Sequence, residues 1–273
     1  MLMAPDPYHY DGKTVVVTGA ATGVGAALIE LLAELGAASV TVLDIKEPNG
    51  PHDRFLQTDL SDPAAVDAAI AAIEGPVDVL FNNAGVADTL PSEVVFAVNF
   101  LALRKLSEGL LPQINAGGAI VNTASIAGGQ WPSRLAEITE VISIAGWSEA
   151  AEWYAAQSFE IDTYSFTKES VQVYTMHSSH QTLAKNVRTN SVCPAPIDTP
   201  LLPDFRKTMT DQLMDFAIDN AGGRLVTPRE VAMALGFLGS DAAVFVNGVN
   251  LNVDNGFTAS MTTGQIDFST LAG

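Results

Sequence analysis

Residues 13–25, KTVVVTGAATGVG, set a β-branched run against a glycine-rich turn, and a helical period, VGAALIELLAELG (24–36), begins at once. This is the feature that most restricts the fold, because it commits the chain to a strand–turn–helix unit. The run is apolar on both faces, as in a buried parallel strand, and Gly36 suits the left-handed position that ends a helix. The pattern then recurs. Strands are predicted at 39–44, 54–60, 76–85, 117–125, 186–193 and near 248–253. Helices are predicted at 63–74, opened by Asp62-Pro63, at 92–113, at about 163–184 and from Pro228 to Gly239, with a loop-helix segment reaching about 220. Strands alternating with helices predict an α/β fold, a doubly wound parallel sheet covered on both faces. No Pro/Gly/Ser-rich linker and no repeat divides the chain, so 1–273 reads as one domain. One link is short: nine residues separate Asp44 from Arg54. A helical crossover needs about a dozen or more, so a bare loop is expected there.

Charge narrows the partners. Thirty-one acidic residues against 13 basic give −18, a surface that repels nucleic acid and anionic membranes. The single cysteine, Cys193, rules out an intramolecular disulfide and suits a reducing compartment. MLMAPDPYHYDGK lacks the basic and apolar regions of a secretory signal, and no apolar run reaches the ~18 residues of a membrane span. The expectation is a soluble, cytoplasmic protein.

The turn at 18–25 has the features of a dinucleotide site. Gly19, Gly23 and Gly25 let the backbone approach a pyrophosphate, and the helix start supplies N–H groups and positive dipole. Asp44, ending the next strand 19 residues after Gly25, is placed to accept hydrogen bonds from ribose hydroxyls. Toward a 2′-phosphate at ~4 Å the same carboxylate is repulsive by roughly 1–4 kcal/mol. Thr22 adds no positive charge, and Lys46 is the only nearby cation. The cofactor expected is NAD, with NADP less favoured.

Of five tyrosines only Tyr164 has a lysine four residues on, in YSFTK (164–168), which puts both side chains on one helix face. A phenol with a pKa of ~10 needs roughly 3 units of help to act as a base near neutrality. An ammonium and a positively charged nicotinamide ring both act in that direction. TGAATGVG, Asp59-Leu60, NNAG (82–85), Asn99, IVNTASIAG (120–128), YSFTK, CPAPIDTP (193–200) and VDNG (253–256) stand in the order seen in the short-chain dehydrogenase/reductase family, which the chain resembles from about residue 12 to 256. The resemblance implies a Rossmann fold and reversible hydride transfer between an alcohol carbon and nicotinamide. It implies Tyr164 as acid/base, Lys168 as holder of the nicotinamide ribose, Ser125 as the hydroxyl that orients the substrate oxygen, and Asn99 as holder of a relay water. Around the cofactor it implies Gly19, Thr22, Gly23, Val24 and Gly25 in the turn, Asp44 at the ribose, Asp59 and Leu60 at the adenine, Asn83, Ala84 and Gly85 beside the ribose, and Pro194, Ile197 and Thr199 near the carboxamide.

Two positions depart from the family pattern. Ala195 stands where glycine is usual, and alanine resists positive φ. Ser125 and Tyr164 lie 39 positions apart instead of a dozen or so. The insertion, about 128–160, holds all three tryptophans, Trp131, Trp147 and Trp153. Leu135, Ile138 and Ile142 recur at helical spacing, and Glu149 and Glu152 suit the start of a second helix after Gly146-Trp147, so two short helices are expected as a cap at the rim of the site. The tryptophans are expected either to line a substrate pocket with Leu201 and Leu202 or to anchor the cap or a subunit contact. The segment at about 197–223, rich in Leu, Met and Phe, is expected by analogy to form a flap, with plain helix packing as the other reading. Long gap and missing helix together resemble the family branch containing 3α-hydroxysteroid dehydrogenase/carbonyl reductase and coniferyl-alcohol dehydrogenase. The substrate implied is a bulky, mostly apolar alcohol or ketone, such as a hydroxysteroid or aryl-allylic alcohol. Two alternatives stay open: a ketoacyl-type reductase using NADPH, and a catalytically silent NAD-binding regulator. His177 and His180 have no third ligand at metal spacing, so no metal site is expected. The family also implies a homodimer or homotetramer, paired through the helices that carry Asn99 and Tyr164.

Overall fold

The structure, a computed structural model, describes residues 6–266; the single-domain reading over 1–273 and the N-terminal signal reading extend beyond them. Seven strands, β1 (Thr14–Thr18), β2 (Ser39–Asp44), β3 (Arg54–Gln57), β4 (Val77–Asn82), β5 (Ile114–Thr123), β6 (Arg188–Pro194) and β7 (Asn250–Val253), form one parallel sheet in the order 3-2-1-4-5-6-7. Helices α1 (Gly23–Glu34), α2 (Pro63–Ala72), α3 (Ser92–Phe96), α4 (Ala102–Leu110), α5 (Leu135–Ser143) and α6 (Trp147–Ala155) precede the long α7 (Thr163–Leu183). The last four are α8 (Leu202–Thr208), α9 (Asp211–Asn220), α10 (Pro228–Gly239) and α11 (Phe257–Thr262).

The pleat explains why β1 is apolar throughout. Val15 and Val17 pack with Leu28 and Leu32 of α1 and Leu235 of α10. Val16, between them, points to the opposite layer, with Val66 of α2 and Leu106 of α4. Both faces of the strand are therefore buried, which removes the polar half of the usual alternation. Helix ends follow their sequence signals. Asp62 accepts from the Ala64 N–H ahead of Pro63, Thr227 and Glu230 form a reciprocal capping box on α10, and Gly36 after α1 takes φ +85°. Between β2 and β3 no helix intervenes, and the chain crosses in a bare loop.

Three local differences from the sequence expectations have physical causes. The helix expected over 92–113 is interrupted by a π turn, Ala97–Leu101, within which the Asn99 amide bonds both the N–H and the C=O of Val86. β5 starts at Ile114, before the glycines that mark it in the sequence, because Ile114 already pairs with Val77 of β4, and an irregularity in register carries the chain through Gly117, at φ +90°, to the pairing of Ala119 with Val79. α11 is too short and too rich in Thr and Ser for a readable period; Asp254 caps it through Gly256 N and Thr258 N.

The insertion forms the two expected helices, α5 and α6, but they lie against α3, α4 and α7 rather than over the cleft. Ile138, Val141 and Ala150 are fully buried with Phe96, Phe100 and Phe166. Phe96 stacks on Tyr154, and Phe159 on Phe166, each pair at 4.2 Å between centroids, worth about 0.5–1.5 kcal/mol apiece beyond the buried area. Two arginines fasten it. Arg104 of α4, 4% exposed, donates to Val141 O and Ile144 O at the end of α5, and Arg134 forms a two-bond ion pair with the buried Glu169 of α7. On the helices that carry Asn99 and Tyr164, Leu103, Val173 and Tyr174 are covered within the chain.

Candidate active site

Strand order reverses between β1 and β4, and the crevice above their C-terminal ends is where an open α/β sheet holds a ligand. A cavity of about 1370 Å³ opens there. Its floor is the turn after β1. Gly19 takes φ +69°, and a Cβ on it would stand 2.6 Å from Ala84 Cα; one on Gly25 would stand 2.0 Å from Gly19 O. The backbone is thus folded against itself more closely than any side chain allows. Gly25 packs beneath the cleft, while Gly19, Thr22, Gly23 and Val24 line it. Thr22 begins α1 without a side-chain cap, and the first turn holds no acidic residue. The helix N-terminus is left open to an anion, and the cradle fits a dinucleotide pyrophosphate.

Asp44 lines the same cavity with Asp59 and Leu60. Its carboxylate is fixed by two backbone donors, Ala21 N at 2.9 Å and Lys46 N at 3.1 Å. Asp59 accepts the N–H and the hydroxyl of Ser61, which hold its carboxyl below the usual range. Farther along, Asn83, Ala84, Gly85, Pro194, Ile197 and Thr199 also line the cavity. Thr18 of β1 ties this side together by accepting from Asn83 N and Ala84 N. Ala195 N donates to Val253 O at 3.1 Å. Alanine is accommodated without the left-handed backbone a glycine could take: Asn186, Thr210 and Asn255 alone, among the described non-glycine residues, have positive φ.

Ser125, Tyr164 and Lys168 converge on the wall opposite the glycine turn. Ser125 follows β5; its hydroxyl accepts from Ala127 N at 3.1 Å, and its carbonyl accepts from Gln172 Nε2 at 2.8 Å. α7 brings Tyr164, Lys168 and Gln172 to one face by four-residue steps. Lys168 Nζ lies 5.5 Å from the Tyr164 ring centroid and donates to Thr123 O at 2.8 Å. Burial pushes the Tyr164 phenol above its ordinary value, opposed by a hydrogen bond with Ser125. It lowers Lys168 to about 8 and raises the Cys193 thiol to about 12, so that thiol is unreactive near neutrality. Asn99 does not line the cavity. Its amide is spent on Val86 and on Thr167 Oγ1 at 3.3 Å, and Gly85 separates it from Lys168: a Cβ there would stand 3.4 Å from Asn99 Oδ1 and 3.5 Å from Lys168 Nζ.

The far wall is apolar. Leu201, Leu202, Phe205, Met209, Met214 and Met261 line it. Phe205 meets the Tyr164 ring edge-on at 4.8 Å. The tryptophans are a correction, because none lines this cavity. Trp153 packs on Phe159 and Phe166, Trp147 lies between two core clusters, and Trp131 borders a separate cavity of about 280 Å³. The insertion does leave and return at the rim, through Ile126–Gln130 and Asp162. Thr123, Gln172, Phe205, Met209 and Met214 were not singled out from sequence. For Gln172 a signal existed, its place four residues after Lys168 on the helix face.

Fold and cleft together define a dinucleotide-binding α/β protein. Two family models match the chain, short chain dehydrogenase over residues 13–136 and enoyl-(acyl carrier protein) reductase over residues 143–258. It is 34% identical to coniferyl-alcohol dehydrogenase of Pseudomonas sp. (strain HR199 / DSM 7063) over 250 residues, 91% of this chain and 97% of the relative. It is also 34% identical to cis-4-hydroxycyclohexanecarboxylate dehydrogenase of Sinomonas cyclohexanicum over 264 residues, 90% of this chain and 97% of that one. Among solved structures, 3-alpha-hydroxysteroid dehydrogenase from Pseudomonas sp. B-0831 complexed with NADH superposes with a TM-score of 0.77 at 29% identity, covering 93% of this chain and 100% of the other. The chain belongs to the short-chain dehydrogenase/reductase family, and is an NAD(P)-dependent oxidoreductase acting on alcohol or carbonyl groups. No helix among the described residues is long and apolar enough to cross a membrane.

Proposed function

We propose that the protein is an NAD-dependent alcohol dehydrogenase/ketone reductase for a bulky, mostly apolar substrate without a negative charge. The observation that carries this reading is one cleft with Ser125, Tyr164 and Lys168 on one wall, Asp44 at one end and an apolar surface at the other. The nicotinamide, when bound, supplies or receives the hydride. The residues do the rest. Ser125 donates to the substrate oxygen and orients it, and Tyr164 takes or returns the proton of the alcohol. Lys168 holds the ribose and, charged, favours the phenolate. Asn99, with its amide committed to Val86, shapes the cleft beside Lys168.

Asp44 supports NAD over NADP, because its carboxylate is fixed at the cleft by Ala21 N of the glycine turn and by Lys46 N, and a 2′-phosphate there meets like charge. Among the described residues only Lys46 and Lys168 bring positive charge to the cavity, and neither belongs to the apolar end. A carboxylate or carrier-protein substrate finds no counter-ion there, which supports an aryl-allylic or hydroxysteroid type of alcohol. The flap, α8 and α9, closes over that alcohol in this reading. A cytoplasmic setting and a homodimer or homotetramer complete the proposal. The assembly is supported by exposed Val244 and Phe245 near edge strand β7, and sedimentation tests it.

The deciding experiment follows NADH absorbance with cinnamyl alcohol, a 3α-hydroxysteroid and a hydroxycyclohexanecarboxylate, each with NAD and with NADP. Turnover of the neutral alcohols with NAD, at least tenfold above NADP and above the carboxylate, is expected. Preference for NADP or for the carboxylate contradicts the reading.

A further inference from the structure

Two carboxylates meet at the start of α7, beside the residue to which the reading above gives the proton transfer. Asp162 is the N-cap, with Oδ1 accepting from Ser165 N and Oδ2 from the Ser165 hydroxyl, both at 2.8 Å. Asp88 comes from a different part of the chain, the segment after β4. Both its oxygens stand 3.0 Å from the backbone N–H of Tyr164. That segment is itself anchored two residues earlier, where Asn99 grips both backbone groups of Val86. The cofactor-side strand β4 and the helix that carries the phenol are thus linked through Asp88.

We propose that Asp88 is a positioning residue for Tyr164: its carboxylate, anchored to the segment after β4, clasps the first turn of α7 and sets a second negative charge there beside Asp162. The groups that act on Asp88 are Asp162 and the N–H groups of Thr163 and Tyr164; across the junction stands the Tyr154 phenol, which donates to Thr163 Oγ1 at 2.8 Å and is itself pushed up by burial and by both aspartates. Burial and Asp162 raise the Asp88 carboxyl to about 6. Both aspartates push the Tyr164 phenol up. A protonated Asp88 still offers a carbonyl oxygen to Tyr164 N. The clasp therefore survives protonation, and only its charge is titrated.

The proposal rests on the catalytic reading for its interest in Tyr164, but its test needs no turnover. Asp88→Asn keeps an acceptor for the Tyr164 N–H and removes the charge; Asp88→Ala removes both. In the NAD complex, tyrosinate absorbance between pH 8 and 10, corrected with Tyr164→Phe in each background, is expected to show about threefold more phenolate in Asp88→Asn than in the parent, a shift of roughly half a pH unit. Amide exchange at Tyr164 is expected to be at least tenfold faster in Asp88→Ala than in Asp88→Asn. A carboxyl raised above its unfolded value favours folding below that value and loses this contribution as pH rises through about 6. The melting temperature of Asp88→Asn should therefore gain on the parent between pH 4 and 8. Equal phenolate in Asp88→Asn and the parent, or equal exchange in both variants, overturns the proposal. Turnover retained in Tyr164→Phe would instead overturn the catalytic reading and leave these readouts standing.

Discussion

The turn after β1 and the insertion before α7 both stand out in the sequence, one by its glycines and the other by its tryptophans. Only the first has a single structural meaning. At Gly25 the neighbouring backbone leaves no room for a methyl group, so the residue type dictates a geometry, and the geometry suits one kind of ligand. In the insertion the constraint is apolar area. Large aromatic side chains bury that area equally well against substrate or against a neighbouring helix, and here they bury it against α3, α4 and α7. Backbone approach specifies a function, whereas a concentration of large apolar side chains specifies only that something will cover them.

Substitutions can break this contrast. The largest effect is expected at the turn: Gly25→Ala places a methyl group on Gly19 O and should lower NAD affinity at least 100-fold in protein shown by circular dichroism to be folded. Near-normal affinity would mean that the turn tolerates what its geometry forbids. Smaller effects of another kind are expected in the insertion. Arg134→Met leaves the buried Glu169 without its partner, at a cost of about 3–5 kcal/mol, and Trp153→Ala should cost about 2–3 kcal/mol through lost packing. Urea unfolding measures both. In either variant KM for an alcohol should change less than threefold; a tenfold rise would return the insertion to the substrate pocket.

The same contrast explains what was legible in the chain. The sheet, its bare β2–β3 loop and the helix caps were readable because period, loop length and cap chemistry are local. Tyr164 and Lys168 were readable because a four-residue step fixes their relation on a helix. Asp88 left no sign, since a side chain that bonds a backbone N–H 76 residues away keeps no spacing with it. The π turn at Asn99 was hidden for a similar reason, because the demand for it comes from Val86. The segment 197–223 was legible as a unit rich in Leu, Met and Phe, but which of its side chains face the cleft depends on how α8 meets α9, at a Thr210 whose φ of +62° no pattern announces.

The central claim is that chemistry in the cleft passes through the Tyr164 phenol, and the most direct measurement compares the parent with Tyr164→Phe for NADH production from cinnamyl alcohol and for NAD binding. The account predicts a fall in kcat of at least 1000-fold, on the order of 4 kcal/mol in the barrier, with NAD affinity unchanged within about twofold. Turnover within tenfold of the parent would contradict it.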